Sequence, residues 1–381
     1  MRHTRGRAVE VTDLEDLDRR LAAGASSLEG WHVQGLDLRG RSAALRGCRA
    51  AGALFLGCRF APGDEDALRA AGAVVFPEVP GVPVDVYRGR LYDPHELYDT
   101  LVDGPAGPAD HGYAASLDAR AYGWSQQHAD RETMLAQALH DHAVDAALAD
   151  WVRGRHVVGV MGGHALRRGE PGYREAARLG AALAAYASVA TGGGPGAMEA
   201  ASLGAWLAGG EQGRAGGGAL DAVLAEAVDR LAAVPSYQPS IGAWALPAMA
   251  VRDAHPSASE VLSVPTWHYG HEPPHVFASA VAKYFRNSAR EAVLLEVCDA
   301  GIVFLPGAAG TVQEVFQDAC ENYYADESSL APMVLLGARH WTEEVPAWPL
   351  LHRLARDRAM AAHVHLVDSV EEAAAVVAAG A

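Results

Sequence analysis

The residues able to do chemistry gather at three glycine-rich turns, each directly behind an apolar run. They are "MGGHA" (161–165), "TGGGPGAME" (191–199) and "LPGAAGTVQE" (305–314). In the second, Gly192, Gly193 and Gly194 let the backbone approach a ligand closely, and a helix beginning near Pro195 points its free N–H groups at it. A helix N-terminus of this kind is a ready anion site. None of the turns matches GxxxxGK[ST], and "TGGGPG" departs from GxGxxG, so neither a P-loop nor a standard dinucleotide fingerprint is expected. Glu199 and Glu314 each follow their turn at the start of a helix. The helix dipole favours carboxylates there, and two of them converging on a shared cleft could also act on a ligand.

Opposite charge comes from 275–298, which reads as one long helix. Lys283, Arg286 and Arg290 are spaced by three and four and would form a cationic stripe on one helical face. Arginine suits such a stripe, because its planar fork grips phosphate or carboxylate oxygens in pairs. In "WHYGHEPPH", His268, His271, Glu272 and His275 lie close together, but two prolines deny them helical register and no metal site is expected. That segment reads as a loop lining a pocket, with Trp267 and Tyr269 available to stack on a flat ring.

These residues need a scaffold, and the sequence supplies one from 154 onward. Strands are expected at 156–163, 188–191, 259–267, 300–305, 331–337 and 363–368, alternating with amphipathic helices. Wholly apolar strands alternating with helices indicate a doubly wound, Rossmann-like α/β domain with a parallel sheet covered on both faces. All three turns would then fall at strand carboxyl ends, where such sheets bind ligands. The expected organisation is an accessory module over 1–105, a helical connection over 106–153 and the Rossmann-like domain over 154–381. Within the first part, Gly47, Gly52 and Gly57 are five residues apart, which suggests a short ladder of β-turns. The glycine-rich and then irregular segment 211–257 reads as an insertion or lid.

Composition narrows the partners. The chain has 381 residues, half of them apolar, and a formal net charge of -16. Such acidity argues against nucleic acid or an anionic membrane surface as partner and leaves room for a small phosphorylated ligand. No secretory signal or apolar run of membrane-spanning length is read. Cys48, Cys58, Cys298 and Cys320 form no CxxC pair, as expected of a reducing cytoplasm. Lys283 is the sole lysine.

Together the motifs resemble the LOG family, the cytokinin riboside 5′-monophosphate phosphoribohydrolases and related nucleotide 5′-monophosphate nucleosidases. The family's PGGxGTxxE looks like Pro306, Gly307, Ala308, Ala309, Gly310, Thr311, Val312, Gln313 and Glu314, with Ala308 in place of the second glycine. Its GGGPGxME runs from Gly192 through Pro195 and Gly196 to Glu199. The resemblance covers about 154–370. It implies hydrolysis of a nucleoside 5′-monophosphate to free base and ribose 5-phosphate, by a homodimer needing no cofactor or metal. It further implies that Glu314 is the catalytic carboxylate and that Arg290, catalytic beside it, orients the substrate or assists departure of the base. Glu199 would hold ribose hydroxyls, and the phosphate would rest on Gly192, Gly193, Gly194, Gly196, Gly307, Gly310 and Thr311. Two other readings compete: a non-catalytic nucleotide-binding or sensing protein on the same scaffold, and an amino-acid decarboxylase using Lys283.

Overall fold

The computed structural model describes residues 9–102, 109–127, 130–211, 213, 217–270 and 272–380. The chain divides into two compact units, 1–90 with 127–147 and 91–126 with 148–381.

The first unit is built on four parallel strands in chain order, β1 (Val9–Val11), β2 (Trp31–Gln34), β3 (Leu54–Leu56) and β4 (Val74–Phe76). A short helix follows each of the first three: Leu14–Ala22, Ser42–Arg46 and Asp64–Ala70. Registers of Trp31 on Val9, Leu54 on His32 and Val74 on Leu54 make this a short solenoid, one coil per strand. Val11, Val33, Phe55 and Val75 point inward and are buried with Leu17, Leu45 and Leu68. The glycine spacing of five is not the structural period, and no ladder of β-turns forms. The period is the coil: Gly30 and Gly52, both at positive φ, precede β2 and β3, and Gly30 N–H donates to the Gly52 carbonyl at 3.0 Å.

The second unit holds seven parallel strands in the order β11-β10-β9-β5-β6-β7-β8. They are β5 (Val157–Met161), β6 (Ser188–Thr191), β7 (Val261–Ser263), β8 (Ala280–Val281), β9 (Ile302–Phe304), β10 (Met333–Leu336) and β11 (Val364–Val367). Apart from Ser188 at the start of β6, every residue of strands β5 to β10 is buried, as a sheet covered on both faces requires. This is the doubly wound, Rossmann-like α/β fold. From β5 the chain winds outward through β6, β7 and β8, then returns to the other side of β5 as β9. The winding therefore reverses between β5 and β9, and the turns after β5, β6 and β9 share one edge. They are tied together: Leu305 N–H donates to the Met161 carbonyl at 2.8 Å, Gly163 N–H to Pro306 at 3.3 Å and Ala197 N–H to Gly163 at 3.1 Å. Behind them the helices Pro171–Leu183 and Ala197–Ala208 cross in backbone contact, since a methyl group on Gly204 would stand 1.8 Å from the Ala177 carbonyl oxygen. That contact sets where the second helix begins.

Two expectations change. The segment 211–257 contains the helices Gly218–Ala232 and Ile241–Ala254. The stretch 275–298 is not one helix. It runs extended through β8, where Ala282 N–H donates to the Ser263 carbonyl at 2.8 Å, and becomes helical only over Asn287–Glu296. A short, wholly apolar run is compatible with either a buried strand or a buried helix, and here strand pairing prevails. The cationic stripe of Lys283, Arg286 and Arg290 therefore does not exist. Lys283 is buried instead, its Nζ donating to Asp118 Oδ1 at 2.5 Å. Trp267 Nε1–H donates to the same oxygen at 2.8 Å and the Tyr113 hydroxyl to Oδ2 at 3.1 Å. Trp267 is itself 2 % exposed and stacked on Phe285, so it is not available to a ligand.

Removing one partner of a buried pair leaves the other charge uncompensated. Lys283→Met should therefore cost about 3–5 kcal/mol in chemical denaturation. The double variant with Asp118→Leu should recover most of that loss; a double variant as unstable as the single would contradict it.

Candidate functional site

The turn after β6 takes its shape from glycine backbone. Gly193 and Gly196 have φ of +79° and +77°, and a methyl group on Gly196 would stand 2.5 Å from the Gly163 carbonyl oxygen. Beneath the turn, His275 N–H donates to the Gly193 carbonyl at 2.9 Å. His275 Nε2 lies 3.1 Å from Thr191 Oγ1 and 3.0 Å from Ser202 Oγ. Burial pushes its pKa down to about 3, so this histidine is a neutral support for the turn. No group of three or more His, Cys, Asp or Glu among the described residues is placed to hold a metal ion; His271 lies outside the described residues.

The turn after β9 opens the helix Ala309–Tyr324. Ala308 has φ −114°, outside the left-handed region that favours glycine, so its φ does not call for glycine there. A methyl group on Gly307 would stand 2.2 Å from Thr311 Oγ1, so the buried threonine packs directly on that turn. His340, on a π-helical turn, places Nε2 3.3 Å from Gly307 N and 3.1 Å from its carbonyl oxygen. Neither helix start, at Gly196 or at Ala308, is capped by a side chain.

The two carboxylates differ sharply. Glu199 is fully buried and both its oxygens are engaged. Arg168 Nε donates to Oε2 at 2.9 Å, Arg168 Nη2 to Oε1 at 2.5 Å and the Tyr173 hydroxyl to Oε2 at 3.0 Å. The same guanidinium donates to the carbonyls of Trp244 at 2.8 Å and Val234 at 3.3 Å, and lies 4.4 Å from the Trp244 ring centroid. Glu314 has no hydrogen-bond partner among the described residues. Burial pushes its pKa up to about 7, opposed by the charge of Arg290 and assisted by that of Glu291. One turn further along, Asp318 is 6 % exposed with Oδ2 unpartnered, and burial pushes it up to about 8.

Arg290, on the helix Asn287–Glu296, is 9 % exposed and its Nε finds no partner among the described residues. Its Nη1 lies 3.5 Å from where a methyl group on Gly192 would stand. The structure thus assembles the Gly192 turn, Arg290 and Glu314, while Lys283 and Arg286 take no part. Arg168, Tyr173, Tyr237 and Trp244 escaped sequence reasoning. Arg168 and Tyr173 stand apart from any glycine turn, and Tyr237 and Trp244 sit in the stretch read as an insertion. A cavity of about 200 Å³ lies against Pro195, Gly196 and Glu199, walled by 164–168, 235–238 and Trp244.

No family model matches the chain, and neither does any curated protein. Solved structures do match. One is described as the molybdenum cofactor binding protein from Rippkaea orientalis: 16% identity, covering 59% of this chain and 96% of that one, TM-score 0.36. Another is the molybdenum cofactor carrier protein of Chlamydomonas reinhardtii: 18% identity, 58% and 96% coverage, TM-score 0.34. The LOG-family reading is corrected accordingly: no family model matches the chain, and these two solved structures are described as a cofactor-binding and a cofactor carrier protein. Hydrolysis of a nucleoside 5′-monophosphate, the enzyme assignment, and the catalytic parts given to Glu314 and Arg290 fall with it. The dimer expected through that resemblance loses its support as well. No helix among the described residues is long and apolar enough to cross a membrane.

Both raised carboxyls make folding depend on pH. Their folded pKa values exceed the usual carboxylate range, so stability is full at low pH and is lost as pH rises toward about 7 for Glu314 and about 8 for Asp318. Asp318→Asn should therefore raise the melting temperature by an amount that grows from pH 4 to pH 8 and then levels. A gain independent of pH would contradict this.

Proposed function

We propose that the second unit binds and holds a phosphorylated, nucleotide-like small molecule without transforming it, at the carboxyl edge of the seven-stranded sheet. The observation that carries this reading is Arg290. A buried guanidinium is costly unless paired, and this one has an unpartnered Nε beside the Gly192 turn. A phosphate there would supply the missing acceptor. It would also lie against the two helix starts, whose caps make no side-chain hydrogen bond. These bring Gly192, Gly194 and Gly196 after Pro195 on one, and Gly310 and Thr311 on the other. Gly193 and Gly307, whose N–H groups already donate to Thr191 and His340, shape the turns. Glu199 is spent on Arg168 and Tyr173, which supports binding over a reaction needing two free carboxylates. The molybdenum cofactor, named for the similar structures, is the first cargo to try. Four free cysteines, Cys48, Cys58, Cys298 and Cys320, suit a reducing cytoplasm.

Calorimetric titration with ribose 5-phosphate tests this. The native chain should bind it and return it intact, and Arg290→Met should weaken binding at least about 10-fold, as loss of a charged hydrogen bond does. Glu314 loses its proton as pH rises through about 7 and then repels the anion. Affinity should thus fall over that range in the native chain relative to Glu314→Gln, a comparison that cancels the phosphate's own ionisation. Equal binding by Arg290→Met and the native chain would overturn the reading.

A further inference from the structure

The cavity beside Gly196 adjoins the anion site, and an aromatic side chain, absent from the turn itself, lines it. Its floor is the Arg168–Glu199 pair, each side chain about 1 % exposed. Four of that guanidinium's five N–H donors go to one carboxylate and two carbonyls, so the floor has little left to offer a second phosphate. The walls are mixed: Leu166, Pro195, Pro235 and Tyr237 form an apolar side, while His164, Arg167, Ser236 and Gln238 bring polar groups to the rim. Tyr237 is half-buried and held edge-on to Trp244, centroids 6.4 Å apart and planes at 75°. Arg168 N–H donates to the Pro235 carbonyl at 3.2 Å, pinning this wall to the loop after β5. At about 200 Å³ the cavity is smaller than the ~300–1,000 Å³ of sites enclosing a whole drug-sized ligand. It is suited to one flat part of a ligand whose charged end lies outside it.

We propose that this cavity receives the planar heterocyclic ring of the bound molecule, against Tyr237, with Ser236 and Gln238 meeting the ring's edge. The ligand class is then a phosphate ester carrying a fused aromatic ring, as opposed to a bare sugar phosphate. This rests on the anion site at the neighbouring turn, because Gly196 belongs to both and fixes a short span from phosphate to ring. An aromatic wall favours a flat ring through stacking, and the side-chain donors and acceptors of Ser236 and Gln238 can meet its edge.

The test compares ribose 5-phosphate with guanosine and adenosine 5′-monophosphates on the full chain. The native protein should bind at least one ring-bearing probe about 10-fold more tightly than ribose 5-phosphate. Tyr237→Ala should erase that advantage and leave ribose 5-phosphate binding unchanged, which also shows that the variant is folded. Tyr237→Phe should restore the advantage. If the native chain binds all three probes alike, or if Tyr237→Ala weakens all three alike, the ring assignment is overturned while the anion site stands. If ribose 5-phosphate and both nucleotides fail to bind, the anion site is overturned and the ring assignment with it.

Discussion

The second unit's binding edge depends on one buried ion pair, Arg168 with Glu199. Removing both charges from water is expensive, and the pair is tolerable because most of its hydrogen-bonding directions are met. Two parallel bonds join guanidinium to carboxylate, Tyr173 adds a third to Glu199, and the carbonyls of Trp244 and Val234 accept two more. Each partner comes from a different segment: the loop after β5, the helices that follow β5 and β6, and the 234–244 region. No one of them can shift without leaving a buried charge short of a partner. The pair thereby ties these segments together beneath the cavity, which Gly196 joins to the adjoining turn.

A second arginine shows the opposite arrangement. Arg290 is buried almost as deeply but is under-satisfied, with a half-buried carboxyl close enough to feel its charge and not bonded to it. One guanidinium is structural because most of its valences are filled. The other keeps a buried Nε without a partner among the described residues, the donor that the proposed phosphate would take. The distinction lies in hydrogen-bond completeness, which residue type and spacing do not encode.

The doubly wound sheet was legible because its strands are short apolar runs ending at glycine turns, a pattern few other folds produce. The turns at 192–196 and 305–311 were legible for the same reason. What misled was treating 275–298 as helical, since a three-and-four spacing of cations is also what chance leaves in an extended segment carrying Lys283. The first unit's coils were missed because a five-residue glycine echo masked the longer repeat that pairs Gly30 with Gly52. Arg168 and Trp244 could not have been found, since their contacts join residues far apart in sequence. The LOG-family resemblance arose from motifs that specify how a chain turns from strand to helix. Such motifs describe a cradle, and a cradle does not determine whether its contents react.

Lys283 has a consequence beyond its ion pair. It is the sole lysine, and its ammonium is enclosed with Asp118. Every basic side chain that the described surface presents is therefore guanidinium or imidazole. A guanidinium keeps its proton throughout the range in which proteins remain folded. The surface thus offers no lysine ε-amine for acylation, methylation or ubiquitin attachment.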